Sequence, residues 1–217
     1  MTDGSKFDSR ISKIEGKGVP LEGNSIDTDR IIPARFLKTL TFDDLGKVVF
    51  VDDREQLKSS GALHPFDVPR FRAARILIVN QNFGCGSSRE HAAQAIYRWG
   101  IRGIIGESFS EIFFSNGISV GMPCLTASAE VINKIQKVVK DDAELPLHII
   151  LDLEAMTVGL NYVKNNDVSE QIESFPVYLP ESARQQFLLG TWDATFELLS
   201  NADKLRAMHS DLPYPFF

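Results

Sequence analysis

The residues best suited to chemistry lie in one short stretch, NFGCGSSREHAAQAI, which runs from Asn82 to Ile96. It sets Ser87 and Arg89 between a glycine-rich turn and a segment whose apolar spacing predicts a helix. Such a turn gathers free backbone N–H groups at the positive end of the helix dipole, which is where anions bind. The guanidinium of Arg89 adds a bidentate donor for a carboxylate. The stretch therefore predicts a site for a small carboxylic acid.

Ser87 has two interpretations that these residues leave open. In the first, Ser87 and Glu90 form an S-x-x-E capping box, Gly84 and Gly86 only supply a sharp turn, and Arg89 lies in solvent. In the second, the backbone amides of the turn stabilise the alkoxide of Ser87, so that the serine abstracts a proton without a histidine partner. The first role is structural and the second is catalytic.

Other active-site motifs fit this stretch less well. A dinucleotide-binding turn has the pattern G-x-G-x-x-G, but Arg89 stands at its third glycine position. The stretch also lacks the Gly-Lys-Ser/Thr ending of a P-loop, and no G-x-S-x-G motif surrounds Ser87. The sequence identifies no basic partner that would make Cys85 a thiolate nucleophile, so we interpret it as a small buried thiol.

Composition excludes several classes of protein. The 217 residues include two cysteines, Cys85 and Cys124, too few for a disulfide framework or for a complete thiolate set around zinc or an iron–sulfur cluster. The four histidines form no i, i+4 pair, and we interpret each as structural. A net charge of −6 without a cluster of basic and aromatic residues argues against nucleic-acid binding. The polar N-terminus and the lack of a long apolar run predict a cytoplasmic protein without a membrane segment.

Alternating strand and helix patterns predict an α/β fold in a single domain, residues 1–217, with an apolar C-terminal tail. Strands are predicted at 47–53, 74–80 and 103–106, a strand, loop and short helix at 17–37, an irregular connection at 54–73, an extended segment at 118–127, and a hairpin or pair of strands at 147–160. Helices are predicted from Ala92 to a cap at Gly100, in a capped turn closed by Asn116 and Gly117, behind a cap at Ser128, and at 180–190 and 193–209.

Two motifs together resemble a known family. The stretch NFGCGSSREHA and the upstream loop DTDRIIPARFLKT, residues 27–39, are similar to the small subunits of bacterial 3-isopropylmalate dehydratases, the separate-chain equivalents of the swivelling last domain of the aconitase superfamily. The segments SFSEIFFSNGI and GMPCL match as well, so the resemblance covers most of the chain. It implies an α/β fold in three layers, β/β/α, of the aconitase C-terminal type.

The resemblance also implies an activity that needs a second chain. Enzymes of this family are hydro-lyases of leucine biosynthesis, which interconvert 2-isopropylmalate and 3-isopropylmalate through isopropylmaleate. Their large subunit holds a [4Fe–4S] cluster whose open iron acts as a Lewis acid on the substrate. We therefore expect this chain to bind no cofactor itself and to form a heterodimer with the large subunit, around a dicarboxylate substrate.

Carried over residue by residue, the resemblance implies that Ser87 removes the proton from carbon and that Arg89 holds a substrate carboxylate. Ser88 offers a contact to the same substrate. Asp29 matches an aspartate near the leaving hydroxyl, and its structural alternative is an Asx turn. His91, next in the motif, is interpreted as structural.

Residues 35–39, RFLKT, align with the loop that chooses the substrate in this family, so Lys38 and Thr39 are expected substrate contacts. An apolar loop suits an isopropyl group and an arginine suits a third carboxylate, whereas this chain has a lysine. A lysine with its charge in water is compatible with isopropylmalate, which we favour. The alternatives are a small subunit of homoaconitase, methylmalate dehydratase or dimethylmalate dehydratase, or a module that binds carboxylates without catalysis.

Overall fold

The computed structural model describes residues 8–37, 44–87, 89–141, 147–164 and 167–194, which contain two four-stranded sheets and six α-helices. The strands are β1 (Lys13–Gly16), β2 (Gly18–Leu21), β3 (Ile76–Val79), β4 (Gly103–Gly106), β5 (Cys124–Thr126), β6 (Leu147–Asp152), β7 (Thr157–Lys164) and β8 (Asp167–Pro176). The helices are α1 (Thr28–Ile31), α2 (Val51–Ser59), α3 (Glu90–Trp99), α4 (Glu111–Ser119), α5 (Ala129–Asp141) and α6 (Glu181–Leu189). Short 3-10 turns cover Ala34–Phe36, Leu45–Lys47, Pro65–Asp67 and Pro69–Phe71.

One sheet is parallel and has the strand order β2-β3-β4-β5. Every residue of β3 and β4 is buried, which is why both strands are continuous runs of apolar residues and glycine. Strand β2 lies at the edge of this sheet and therefore tolerates Pro20, since one side of an edge strand has no ladder partner. The carboxyl ends of these strands meet at one edge of the sheet.

The other sheet is antiparallel, in the order β1-β6-β7-β8, and packs face to face on the parallel sheet. Buried and half-buried residues alternate along β6, the pattern of a strand with one face on the core. The two sheets approach closely at Gly103, where an added Cβ would lie 2.8 Å from Cδ1 of Ile14 and 3.0 Å from Cδ1 of Leu151. Glycine therefore sets the spacing of the sheets at this point.

Helix α5 packs on the parallel sheet through one apolar face. Its side chains Ile132, Ile135 and Val139 are buried, and the amide of Gln136 donates to the carbonyl of Ile78 at 3.3 Å. Because Gln136 is itself buried, this bond satisfies a polar group that would otherwise be costly in the core. Layers of sheet and helix confirm the predicted α/β fold.

The strand predicted at 47–53 is wrong. The chain there forms a 3-10 turn and then the first turn of α2, and Phe50 adopts a left-handed conformation with φ 52° at the helix start. The run is apolar because the ring of Phe50 is buried against His64 and Phe66, with ring centroids 5.2 and 4.9 Å away. A short apolar run does not by itself distinguish a strand from a buried turn. The irregular connection predicted at 54–73 is likewise helical as far as Ser59.

Helix α4 is longer than predicted. It begins behind a side-chain cap from Ser110 and continues through Gly117 to Ser119, so the extended segment at 118–127 shortens to β5. Gly117 does not end the helix, and a Cβ there would approach both the sulfur of Cys124 and the carbonyl of Met122 at 3.0 Å. It permits close packing instead.

The remaining element predictions are confirmed where the structure describes them. They are the strands within 74–80 and 103–106, the short helix after β2, the helix that ends at Gly100, the helix capped by Ser128, the strand pair at 147–160 and the helix within 180–190. The helix predicted at 193–209 lies outside the described residues beyond Ala194, as does the apolar tail. No helix in the described ranges has the length and apolar character to cross a membrane. The single domain over 1–217 stays a prediction.

We predict that Gly103→Val destabilises the protein by about 1–3 kcal/mol, because the side chain overpacks the space between the sheets. Gly159→Val is the matched control, since a Cβ on this strand glycine meets, among the described residues, only Asn161 Oδ1 at 3.7 Å and Ile150 Cβ at 4.0 Å. Valine is a good strand former, so the control should be neutral or mildly stabilising. Urea denaturation of both variants measures the difference, and equal midpoints would contradict the account of the sheet contact.

Candidate active site

The candidate site forms where two loops pair at the carboxyl edge of the parallel sheet. Residues 80–87 follow β3, residues 23–28 follow β2, and we call these two segments the paired loops. Their hydrogen bonds run from Gly23 N to Asn80 Oδ1 (3.1 Å), Ser25 N to Gln81 O (2.8 Å), Gly84 N to Ile26 O (2.8 Å) and Thr28 N to Cys85 O (2.8 Å). The two sequence motifs are thus brought together by bonds within this chain.

The glycine turn is fixed by the start of α4. Gly84 has φ +74°, and an added Cβ would lie 2.2 Å from Cγ of Phe113. The hydroxyl of Ser110 donates to the Gly84 carbonyl at 2.6 Å. Position 84 therefore requires glycine both for its backbone conformation and for its closeness to a buried ring.

Ser87 is exposed and does not cap the helix. Helix α3 begins at Glu90, and Arg89 stands at the N-cap position in an extended conformation, with no side-chain hydrogen bond to the cap. Glu90 is therefore the first helical residue and not the third, so the capping-box interpretation is wrong. Its carboxylate instead accepts a hydrogen bond from Gln94 Nε2 at 3.2 Å. Ser88 lies outside the described residues.

Arg89 forms an ion pair with Asp29, Nη1 donating to Oδ1. The Arg89 side chain is only 15% exposed and that of Asp29 is 56% exposed, so the interpretation that placed Arg89 in solvent is wrong. The Asx-turn alternative for Asp29 is wrong as well, because Asp29 is a helical residue of α1 and its carboxylate is paired with Arg89. The cap of α1 comes from Asp27, which accepts the Arg30 N–H at 2.8 Å. Two of the sequence-predicted site residues are therefore in direct contact.

Helix α1 has only four residues and is held by its neighbours, since so short a helix is not stable alone. The guanidinium of Arg30 donates to Oδ2 of Asp53 from Nη2 at 2.8 Å and from Nε at 3.1 Å, which ties α1 to α2. The Phe50 N–H donates to the Ile31 carbonyl at 2.9 Å. The sequence did not predict the role of Asp53, because no local pattern indicates a contact between Arg30 and a residue 23 positions away.

The predicted substrate-choosing loop is described only in part. Arg35 lies beside α2, with Nη1 donating to Oδ2 of Asp52 at 3.0 Å. The expected substrate contacts Lys38 and Thr39 lie outside the described residues.

The described residues of this chain do not fit an iron–sulfur cluster. Cys124 is buried in the core, where burial raises the pKa of its thiol. Cys85 is half-buried in the glycine turn, so its prediction as a buried thiol is wrong. In the ranges that the structure describes, no three or more His, Cys, Asp or Glu residues are grouped to hold a metal ion.

His64 has a structural place, as its isolation in the sequence predicts. It is buried beside Phe50, and burial lowers its pKa to about 4, so the ring is neutral at physiological pH. Its Nδ1 accepts the N–H of Phe66 at 3.2 Å. His64 therefore supports the packing of the segment that leads out of α2.

Comparison with known proteins identifies the family. The Aconitase C-terminal domain family matches residues 9–130. A 3-isopropylmalate dehydratase small subunit of Synechocystis is 47% identical over 206 residues, which are 95% of this chain and 96% of the relative. The chain belongs to the Aconitase C-terminal domain family. A 3-isopropylmalate dehydratase small subunit of Thermus thermophilus is 42% identical with the same coverage.

A solved structure has a similar fold. The crystal structure of 3-isopropylmalate dehydratase from Methanocaldococcus jannaschii aligns with a TM-score of 0.58 at 25% identity, over 92% of this chain and 98% of that one. The three-layer α/β fold of the aconitase C-terminal type and the resemblance seen in the sequence motifs are confirmed.

We predict that Gly84→Ala destabilises the protein by more than about 3 kcal/mol, because backbone strain adds to a clash with the Phe113 ring. Gly61→Ala is the matched control, since Gly61 has φ +80° but an added Cβ meets nothing within 4 Å. The control should cost only the strain, about 1–2 kcal/mol. Thermal and urea denaturation compare the two. A similar loss in both variants would show that the ring contact does not constrain the turn.

Proposed function

We propose that this chain is the small subunit of a 3-isopropylmalate dehydratase, a hydro-lyase that interconverts 2-isopropylmalate and 3-isopropylmalate through isopropylmaleate in leucine biosynthesis. The observation that carries the proposal is the exposed residue Ser87 on a hydrogen-bonded turn, close in the chain to Arg89 with its ion pair to Asp29. Close relatives over nearly the whole chain bear the name of this small subunit.

Arg89 is proposed to bind one carboxylate of the substrate. Its ion pair with Asp29 uses Nη1, one of two terminal nitrogens of a guanidinium that carries five N–H donors. The charge is mostly withdrawn from water, which strengthens its attraction for a second carboxylate. A dicarboxylate therefore has a defined anchor beside Ser87.

Ser87 is proposed to act as the base for a carbon-bound proton. In dehydration, the C–H proton passes to the alkoxide oxygen of Ser87, the electron pair of that bond forms the carbon–carbon double bond, and the hydroxyl leaves the adjacent carbon as water with one proton taken from solvent. In rehydration, a water adds its hydroxyl to the carbon that lost the proton and releases one proton to solvent, while Ser87 returns its proton to the carbon that lost the hydroxyl. Asp29 is proposed to lie near the leaving hydroxyl, since its carboxylate is half exposed beside Arg89.

The site is proposed to be completed by a large subunit. Ser87 and Asp29 are both accessible, so this chain alone leaves one side of the substrate open. The [4Fe–4S] cluster that the family resemblance implies is assigned to the large subunit, because the residues described here do not form a site for it. The cytoplasmic location expected from the sequence stays a prediction.

Co-expression with a cluster-bearing large subunit, followed by a hydration assay on isopropylmaleate, tests this function. We expect a stable complex whose activity requires both chains. Parallel assays with homoaconitate, methylmalate and dimethylmalate distinguish related hydro-lyases. These alternatives arise because Lys38 stands in the predicted substrate-choosing loop. Tight binding of malates by the isolated chain, without any such partner, would support the carboxylate-binding module instead.

We predict that Ser87→Ala lowers turnover of the two-chain enzyme by at least about 100-fold, the range typical of losing a general base, with no effect on complex assembly. Ser119→Ala is the control, because this exposed serine of α4 donates to the carbonyl of Ser115 within its own helix at 3.2 Å. Steady-state kinetics and size-exclusion chromatography measure both. Near-normal turnover of Ser87→Ala would refute the base assignment.

We predict that Arg89→Lys chiefly raises KM, by about 10-fold or more, because an ammonium group cannot serve Asp29 and a substrate carboxylate with the planar fork of a guanidinium. Arg10→Lys is the control, since Arg10 makes a two-point contact with Asp8 at 2.8 and 2.7 Å on the exposed surface. Its KM should stay at the wild-type value. A lowered kcat with unchanged KM in Arg89→Lys would assign Arg89 a different role.

A further inference from the structure

Thr28 contacts the glycine turn at two points. Its backbone N–H donates to the carbonyl of Cys85 at 2.8 Å, and its hydroxyl Oγ1 donates to the carbonyl of Ser87 at 3.0 Å, across 59 positions of the sequence. The residue is only 2% exposed. One buried side chain thus joins the DTD motif, residues 27–29, directly to the backbone of the proposed base.

The hydroxyl of Thr28 is available for this bond because another residue caps its helix. A threonine in the first turn of a helix commonly bonds its own backbone. Here the side chain of Asp27 takes the capping role by accepting the Arg30 N–H. Since buried polar groups require partners, the bond to Ser87 satisfies the hydroxyl and the carbonyl together.

The two bonds of Thr28 lie on either side of Gly86. Gly86 has φ +95°, and an added Cβ would lie 3.4 Å from Oγ1 of Thr28, so the hydroxyl sits close above the glycine. Glycine is the residue with the greatest backbone freedom. Anchors on both flanks therefore remove that freedom where it would otherwise move the exposed side chain of Ser87.

We propose that Thr28 is a positioning residue for Ser87, which holds the serine backbone so that its hydroxyl faces a substrate bound at Arg89. The inference rests on the proposed function, because it requires Ser87 to act on the substrate. Asp29 follows Thr28 directly, so the same anchor also sets the place of the Asp29–Arg89 pair relative to Ser87. Since a displacement of about 1 Å can lower a rate by about 100-fold, the bond affects the chemical step.

Two pairs of variants isolate the hydroxyl in the assembled two-chain enzyme. Wild type against Thr28→Val, and Thr28→Ser against Thr28→Ala, each differ essentially by that group. We expect Thr28→Val and Thr28→Ala to lower kcat by about 10- to 100-fold, with KM changed less than about 3-fold, whereas Thr28→Ser stays within about 3-fold of wild type. Equal losses of kcat in Thr28→Ser and Thr28→Ala would show that the methyl group matters and not the hydroxyl, because both variants lack the methyl group. That result would overturn the proposal.

Thr126→Val is the matched control for a lost hydroxyl-to-carbonyl bond. Oγ1 of Thr126 donates to the carbonyl of Tyr178 at 3.4 Å at the end of β5. We expect its kcat to equal that of wild type. If Thr126→Val loses as much kcat as Thr28→Val, the effect is a general one on the fold and the proposal is overturned.

A double-mutant cycle tests whether Thr28 acts through Ser87. In a Ser87→Ala background, Thr28→Val should lower the residual kcat by less than about 2-fold, because there is no base left to position. A substrate deuterated at the carbon that loses its proton should show a larger isotope effect on kcat in Thr28→Val than in wild type. Additive losses or an unchanged isotope effect would overturn the proposal.

The outcomes separate this proposal from the function on which it rests. If Ser87→Ala keeps wild-type turnover, the base assignment fails, and the positioning role fails with it. If Ser87→Ala is inactive while Thr28→Val retains wild-type kcat, only the positioning role is refuted. If Thr28→Val assembles poorly, the proposal is tested by comparing kcat of Thr28→Ser and Thr28→Ala, with each rate expressed per assembled complex.

Discussion

Hydrogen bonds between residues 23–28 and residues 80–87 hold the two loops of the candidate site together, and the placement of Ser87 and Asp29 depends on this pairing. Buried or half-buried backbone groups in loops need partners just as those in sheets do. Each bond contributes only about 1 kcal/mol net. Together, however, they hold residues 23–28 against residues 80–87 along the whole length of both loops. The described part of the site is therefore held in place by contacts within this chain.

The parallel sheet makes this pairing possible. Register places Leu21 of β2 beside Val79 of β3, and Val79 beside Gly106 of β4, so all three strands end at the same level. The loops that follow them must leave the sheet side by side. The loop after β4 supplies Ser110, whose hydroxyl holds the Gly84 carbonyl. In open α/β sheets, ligands bind at this carboxyl edge for the same geometric reason.

Opposite charges alternate on the short helix that carries the DTD motif. Asp29 pairs with Arg89 on one side, and Arg30 pairs with Asp53 on the other. The mostly buried guanidinium of Arg89 needs a carboxylate, because a charge withdrawn from water without a partner is costly. The same requirement suits the guanidinium to a substrate carboxylate, so structure and proposed binding rest on one electrostatic property.

Local patterns in the sequence determined the buried strands β3 and β4, helix α3 with its Gly100 cap, and the presence of Ser87 and Arg89 near a helix start. Periodicity and turn preferences act over a few residues, so they can be recognised from the local sequence. The tertiary structure alone decided that Arg89 pairs with Asp29 and that Thr28 donates to the Ser87 carbonyl. It also decided that Arg89, and not Ser87, stands at the N-cap of α3, and that residues 47–53 form a turn and the start of a helix. Those outcomes depend on which distant polar groups the sheet register brings together and on which apolar rings cover a run of chain, and neither is encoded in local spacing.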